Sequence, residues 1–134
     1  GFFTYRSGLD AAEQLLRLDE PPSAIFAGND DMAAAAVAVA HRHNLDVPAD
    51  LTVCGFDDTA LATTIWPELT TIRQPVAEMS RAAVRLLIDE IRRLRADEPE
   101  QHPHTLLDST LVRRQSDAAP RRRPPILRGE GSSA

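Results

Sequence analysis

The sequence predicts an α/β fold with a mainly parallel sheet flanked by helices, and three observations carry that prediction. Short apolar runs closed by glycine alternate with longer segments of helical periodicity. The loops joining them are short, as in strand–helix–strand units. The length of 134 residues, 43% of them apolar, suffices to bury one ordinary core.

The elements follow in order. Ser7 and Asp10 have the spacing of a capping box, and Ala12, Leu15 and Leu16 then repeat at helical intervals up to Pro21-Pro22. Ala24 to Ala27, closed by Gly28, is too short for a helix and reads as a buried strand. Asp30 or Asp31 is expected to cap the next helix, where Met32 to Ala40 is almost wholly apolar and His41, Arg42 and His43 occupy the last turn, as the helix dipole favours. Leu51 to Gly55 reads as a second strand delivering Phe56, Asp57 and Asp58 at its end. Thr70 to Gln74 is extended, and Pro75 suits the first position of a long helix striped by Met79, Ala82, Ala83, Leu86, Leu87, Ile91 and Leu94. Residues 96–103 form a polar loop, and Thr105 to Val112 reads as a final strand. Residues 1–113 therefore form the folded region, and residues 114–134 are expected to be a disordered tail rich in Pro, Arg and Ser.

Composition excludes several classes. No stretch approaches the roughly 20 apolar residues of a bilayer span, and the start lacks the layout of a secretory signal, so a soluble, unexported, cytoplasmic protein is expected. The chain does not begin with Met, and its first residues resemble the end of a strand entering a helix, which predicts an internal start. The lone Cys54 excludes an intrachain disulfide and a multi-cysteine zinc site. All 15 basic residues are Arg. Nine lie in residues 1–112 against eighteen acids, and six in residues 113–134 against two. The folded region is thus acidic and a poor nucleic-acid surface.

In parallel sheets ligands bind beyond the carboxyl ends of the strands, which directs attention to Phe3-Thr4, Asn29-Asp30 and Phe56-Asp57-Asp58. An amide donates and accepts, an ionised carboxylate accepts from two hydroxyls, and an aromatic ring covers the C–H face of a sugar or base. A polyhydroxylated ligand suits that set. Two bland readings stand beside it: Asn29, Asp30 and Asp31 cap a helix, and Asp57 and Asp58 make a turn. A rival reading gathers Asp30, Asp31, Asp57 and Asp58 into a Mg²⁺ pocket for phosphoryl transfer, but the lysine that normally accompanies one is absent from the chain. His41, His43, His102 and His104 read as solvated polar positions, and Cys54 as a small buried hydrophobe. No catalytic triad, glycine-rich phosphate loop or metal motif is present in the sequence, so neither an enzyme nor a cofactor is expected.

The order Ser7-Gly8, Ala11-Ala12, Leu15-Leu16, then Pro22 to Asp30 with Met32-Ala33, resembles the effector-binding region of LacI/GalR-family transcriptional regulators. So does Val47-Pro48 with Leu51 to Asp58, followed by Pro67 to Pro75 and Met79. The resemblance covers about residues 1 to 113. It implies part of a type I periplasmic-binding-protein-like fold: the C-terminal lobe plus the last crossover, with most of the other lobe and a DNA-binding helix-turn-helix lying outside this chain. It also implies that Phe3, Asn29 and Asp57 face a small-molecule effector, a sugar, with Gln74 near the cleft. Family members usually carry Asp where Phe2 stands. Homodimers of the family pair through the helix matching Met32 to Ala40 and the segment matching Leu61 to Pro67, which agrees with a helix apolar nearly all round. Burial in its own core would explain that composition equally well. Operator DNA would be bound only through the absent N-terminal domain. A solute-binding protein of an uptake system shares the fold and is the alternative.

Overall fold

The computed structural model describes residues 2–97, 99 and 104–119. The chain divides into a first unit, residues 1–73 with 111–134, and a second, residues 74–110.

In the first unit, α1 (Tyr5–Leu16) starts three residues before the predicted capping box would allow. Thr4 is its N-cap, and Ser7 completes a reciprocal box in which each side chain accepts from the other residue's backbone N–H, at 3.2 and 3.3 Å. Serine here fills the role that glutamate usually fills, which is why the Ser7–Asp10 spacing misled. β1 (Ala24–Phe26) follows, then α2 (Asp30–Arg42), which Asn29 caps by accepting from the Met32 amide at 2.9 Å. That corrects the assignment of the cap to Asp30 or Asp31, which instead form the first turn of the helix. β2 (Thr52–Phe56), a 3-10 turn (Ala60–Thr63) and β3 (Thr70–Arg73) complete the run.

The sheet order is β1-β2-β3-β4, β4 being Thr110–Val112. β1 and β2 run parallel with Phe26 opposite Cys54, and β2 and β3 run parallel with Gly55 opposite Thr71. Alternation along β2 sends Val53 and Gly55 to the buried side, where α2 lies. Leu16, Val39, Leu45, Leu51, Val53 and Leu69 are fully buried there. Each such side chain contributes about 1.5 to 3 kcal/mol relative to exposure. α1 packs on α2 at Gly8, where a Cβ would stand 2.8 Å from the Met32 Cα, so only glycine permits that approach.

The final strand is shorter than the predicted Thr105 to Val112. Leu106 is 97% exposed, so no burial rewards extending the ladder. Residues 114–118, placed by composition in the disordered tail, are stitched to the first unit. Ser116 is fully buried, its backbone carbonyl accepts from the Val53 amide at 2.9 Å, and its hydroxyl accepts from the Thr70 amide at 2.9 Å. Residues 120–134, including Arg121-Arg122-Arg123, and His102 lie outside the described residues.

In the second unit α3 (Val76–Arg95) starts one residue after Pro75, its N-cap. Its apolar stripe is present as predicted, and none of its residues is buried.

Candidate functional site

Because Phe26 stands opposite Cys54 in parallel strands, Asn29 and Asp57 each lie three residues beyond a registered pair. Both therefore leave the sheet by its carboxyl edge. The Asn29 side chain has two structural duties. Its Oδ1 caps α2, and its Nδ2 donates to the Phe3 carbonyl at 2.9 Å. The amide has a second N–H and a second lone pair, so it retains capacity for a ligand. Capping and ligand contact are compatible.

The same hydrogen bond brings Phe3 to the site. Phe3 lies at φ 54°, in the left-handed region, and is 68% exposed. Its ring covers Gly28, where a Cβ would stand 3.3 Å away, so glycine leaves the aromatic room beside Asn29. Phe26 and Phe56, at the ends of adjacent strands, meet edge to face with centroids 6.4 Å apart.

Asp57 and Asp58 form the turn that local chemistry predicts, both at positive φ, 102° and 54°. Their environments differ. Asp57 is exposed, and its amide donates to the Ile72 carbonyl at 2.9 Å. The Asp58 side chain is only 6% exposed, and it receives Arg114 at 2.6 Å on one oxygen and Arg73 at 2.5 Å on the other. Burial alone would push its carboxyl up, but the hydrogen bonds and charges of Arg114 and Arg73 outweigh that and hold it below the usual range. Asp57 is thus the carboxylate presented at the edge, and Asp58 is committed to ion pairs. Gln74 opens the second unit and is half-buried there.

Asp30 was expected as a cap, but it is buried and accepts from the Thr59 amide and hydroxyl and from the Thr71 hydroxyl. Arg73, Arg114, Thr59 and Thr71 were not singled out from the sequence. The one local signal for them was Thr59, directly after the Asp57-Asp58 turn. The Asp30 and Asp58 carboxylates are each taken up by protein donors, and among the described residues no group of three or more carboxylates, histidines or cysteines is placed to hold a metal ion. Cys54 is half-buried, and burial pushes its thiol up, with Asp117 adding to the effect, away from nucleophile character. What the edge offers chemically is an amide, a carboxylate and an aromatic face.

Residues 3–116 match the periplasmic binding protein-like domain family. Catabolite control protein A of Priestia megaterium is 41% identical over 107 residues, which is 79% of this chain and 32% of that protein. The HTH-type transcriptional repressor CytR of Escherichia coli K12 is 45% identical over 92 residues, 69% of this chain and 27% of that protein. Among solved structures, a transcriptional regulator CelR–cellobiose complex superposes with a TM-score of 0.74 at 36% identity, covering 87% of this chain and 35% of that one. The chain spans about a third of the length of the curated relatives it matches.

Proposed function

Because the chain belongs to the periplasmic binding protein-like family and matches the effector-binding domain of LacI/GalR transcriptional repressors, we propose that it senses a sugar through Phe3, Asn29 and Asp57. The observation that carries this reading is the hydrogen bond from the Asn29 amide to the Phe3 backbone carbonyl, which sets the Phe3 side chain beside Asn29 on the sheet edge where Asp57 also lies. A carboxylate and an amide select paired hydroxyls, and the ring covers an apolar sugar face. The CelR structure, a cellobiose complex, supports a sugar over other small molecules. Gln74, which the family resemblance implies lies near the cleft, belongs to the second unit.

Operator DNA would be bound by a helix-turn-helix outside this chain, since residues 1–112 carry nine Arg against eighteen acids. The protein would act in the cytoplasm, as a homodimer and without catalysis. Among the described residues no helix is long and apolar enough to cross a membrane. The dimer rests on the family and on Trp66, 74% exposed in the segment from Leu61 to Pro67. The apolar character of α2 no longer argues for it, because residues 33–37, 39 and 40 are buried within the first unit itself. A solute-binding role in uptake shares the fold, but of the relatives named above CytR is a transcriptional repressor and CelR a transcriptional regulator.

The test is calorimetric titration with cellobiose, sucrose and ribose, against free amino acids and nucleosides. Saturable binding of at least one sugar is expected. Binding confined to the non-sugars would overturn the proposal.

A further inference from the structure

Asp30, the first residue of α2, is 1% exposed, yet its carboxylate meets donors from two other segments. Oδ2 accepts from the Thr59 amide at 2.7 Å and the Thr59 hydroxyl at 3.0 Å. Oδ1 accepts from the Thr71 hydroxyl at 2.6 Å. All three donors are neutral, and their hydrogen bonds, with the amino end of α2, offset the burial of this group. Room for it is made in β2. A Cβ on Gly55 would collide with Oδ1, and Thr71, opposite Gly55 in the register, approaches on the same side of the sheet.

The placement matters because of its neighbours in the chain. Asp30 follows Asn29 directly, and Thr59 lies two residues beyond Asp57. One buried carboxylate therefore spans the two turns that carry the candidate ligand residues. We propose that Asp30 is a positioning residue, fixing the separation of Asn29 and Asp57 and thereby setting effector affinity without touching the effector. This rests on the sugar-binding reading above, which supplies the roles of Asn29 and Asp57. The three hydrogen bonds need no ligand, so the spacing can be tested by itself.

The experiment is backbone amide exchange by NMR on the chain, comparing wild type with Asp30→Ala and Asp30→Asn, together with cellobiose titration of each. The Met32 and Asp57 amides are the reporters, since neither bonds to Asp30: one is capped by Asn29 and the other donates to Ile72. With Asp30→Ala, exchange at both is expected to rise at least about tenfold while Val39 and Val53 change less than about twofold. Asparagine can accept from Thr59 and donate to the Thr71 oxygen, so Asp30→Asn should restore most of the protection and the affinity. A uniform rise that includes Val39 and Val53 would make Asp30 a plain stability element and overturn the proposal, as would no change at Met32 and Asp57. If Asp30→Ala does not fold, Thr59→Val, which removes the hydroxyl donor to Asp30 and keeps the amide donor, is read by the same pattern. Absence of cellobiose binding by wild type would count against the ligand choice, while the exchange pattern would still decide the role of Asp30.

Discussion

Adjacent carboxylates at the end of β2 do opposite work. Asp57 sits at φ 102°, a conformation that costs a non-glycine residue on the order of 1 to 3 kcal/mol. Asp57→Gly is therefore expected to raise stability by about 1 kcal/mol in urea denaturation while weakening sugar binding. Asp58 behaves the other way. Asp58→Ala strands the Arg114 guanidinium, 13% exposed, and should cost about 3 kcal/mol. Its carboxyl is held below its ordinary value of 3.8 in the folded protein. The folded state thus binds fewer protons than the unfolded state near that value, so the ion pairs' stabilisation is fully present above it and is lost as pH falls through the lower folded value. Asp117, held low chiefly by Arg113 and then Thr70, adds with the same sign. The urea midpoint should fall below about pH 4, with a shallower fall in Asp58→Asn. An unchanged acid limb in that variant would contradict the assignment. The turn itself was legible from two consecutive aspartates after a strand. The division of labour was not, because Arg114 reaches Asp58 from 56 residues away and leaves no local pattern.

Helices and strands were legible to the extent that periodicity decides them. α2 and α3 fall where their apolar spacing puts them, and the errors lie at ends, where one hydrogen bond moves a boundary. Thr4 rather than Ser7 caps α1 because Ser7 serves at the third helical position. Thr4→Ala should accordingly cost about 1 kcal/mol, measurable by thermal or urea unfolding. Gly8 carries more. A side chain there meets the Met32 Cα at 2.8 Å and the Ala35 Cβ at 2.9 Å, and neither can step aside without moving a helix. Gly8→Val should destabilise by at least about 2 kcal/mol. A near-neutral result would mean that α1 does not cross α2 at that point. Composition failed at residues 114–118. Arginine, serine and aspartate there read as solvated, yet Ser116 is buried and Arg114 reaches the Leu69 carbonyl. Polar residues whose partners are backbone atoms of distant strands look like tail residues until the sheet is built.

The fold class was readable from the alternation of elements, and the family from four motifs in order. Geometry adds the sharing of work among the site residues: Asn29 both caps and faces the edge, Phe3 is drawn in by its carbonyl, and Asp58 holds the turn that Asp57 occupies. α3, in its own unit, keeps Val84, Leu87 and Ile91 exposed, and its amides should exchange much faster than those of α2. The central proposal is that Asp57 is the carboxylate that recognises the effector. The deciding measurement is calorimetric titration of the protein and its Asp57→Ala and Asp58→Asn variants with cellobiose, sucrose and ribose, each variant checked by a thermal melt. Loss of a hydrogen bond to a charged acceptor is worth roughly 1.5 to 3 kcal/mol, so Asp57→Ala should weaken binding by at least about tenfold, and Asp58→Asn by less. Wild-type affinity in a folded Asp57→Ala, or a larger loss in a folded Asp58→Asn, would contradict the account.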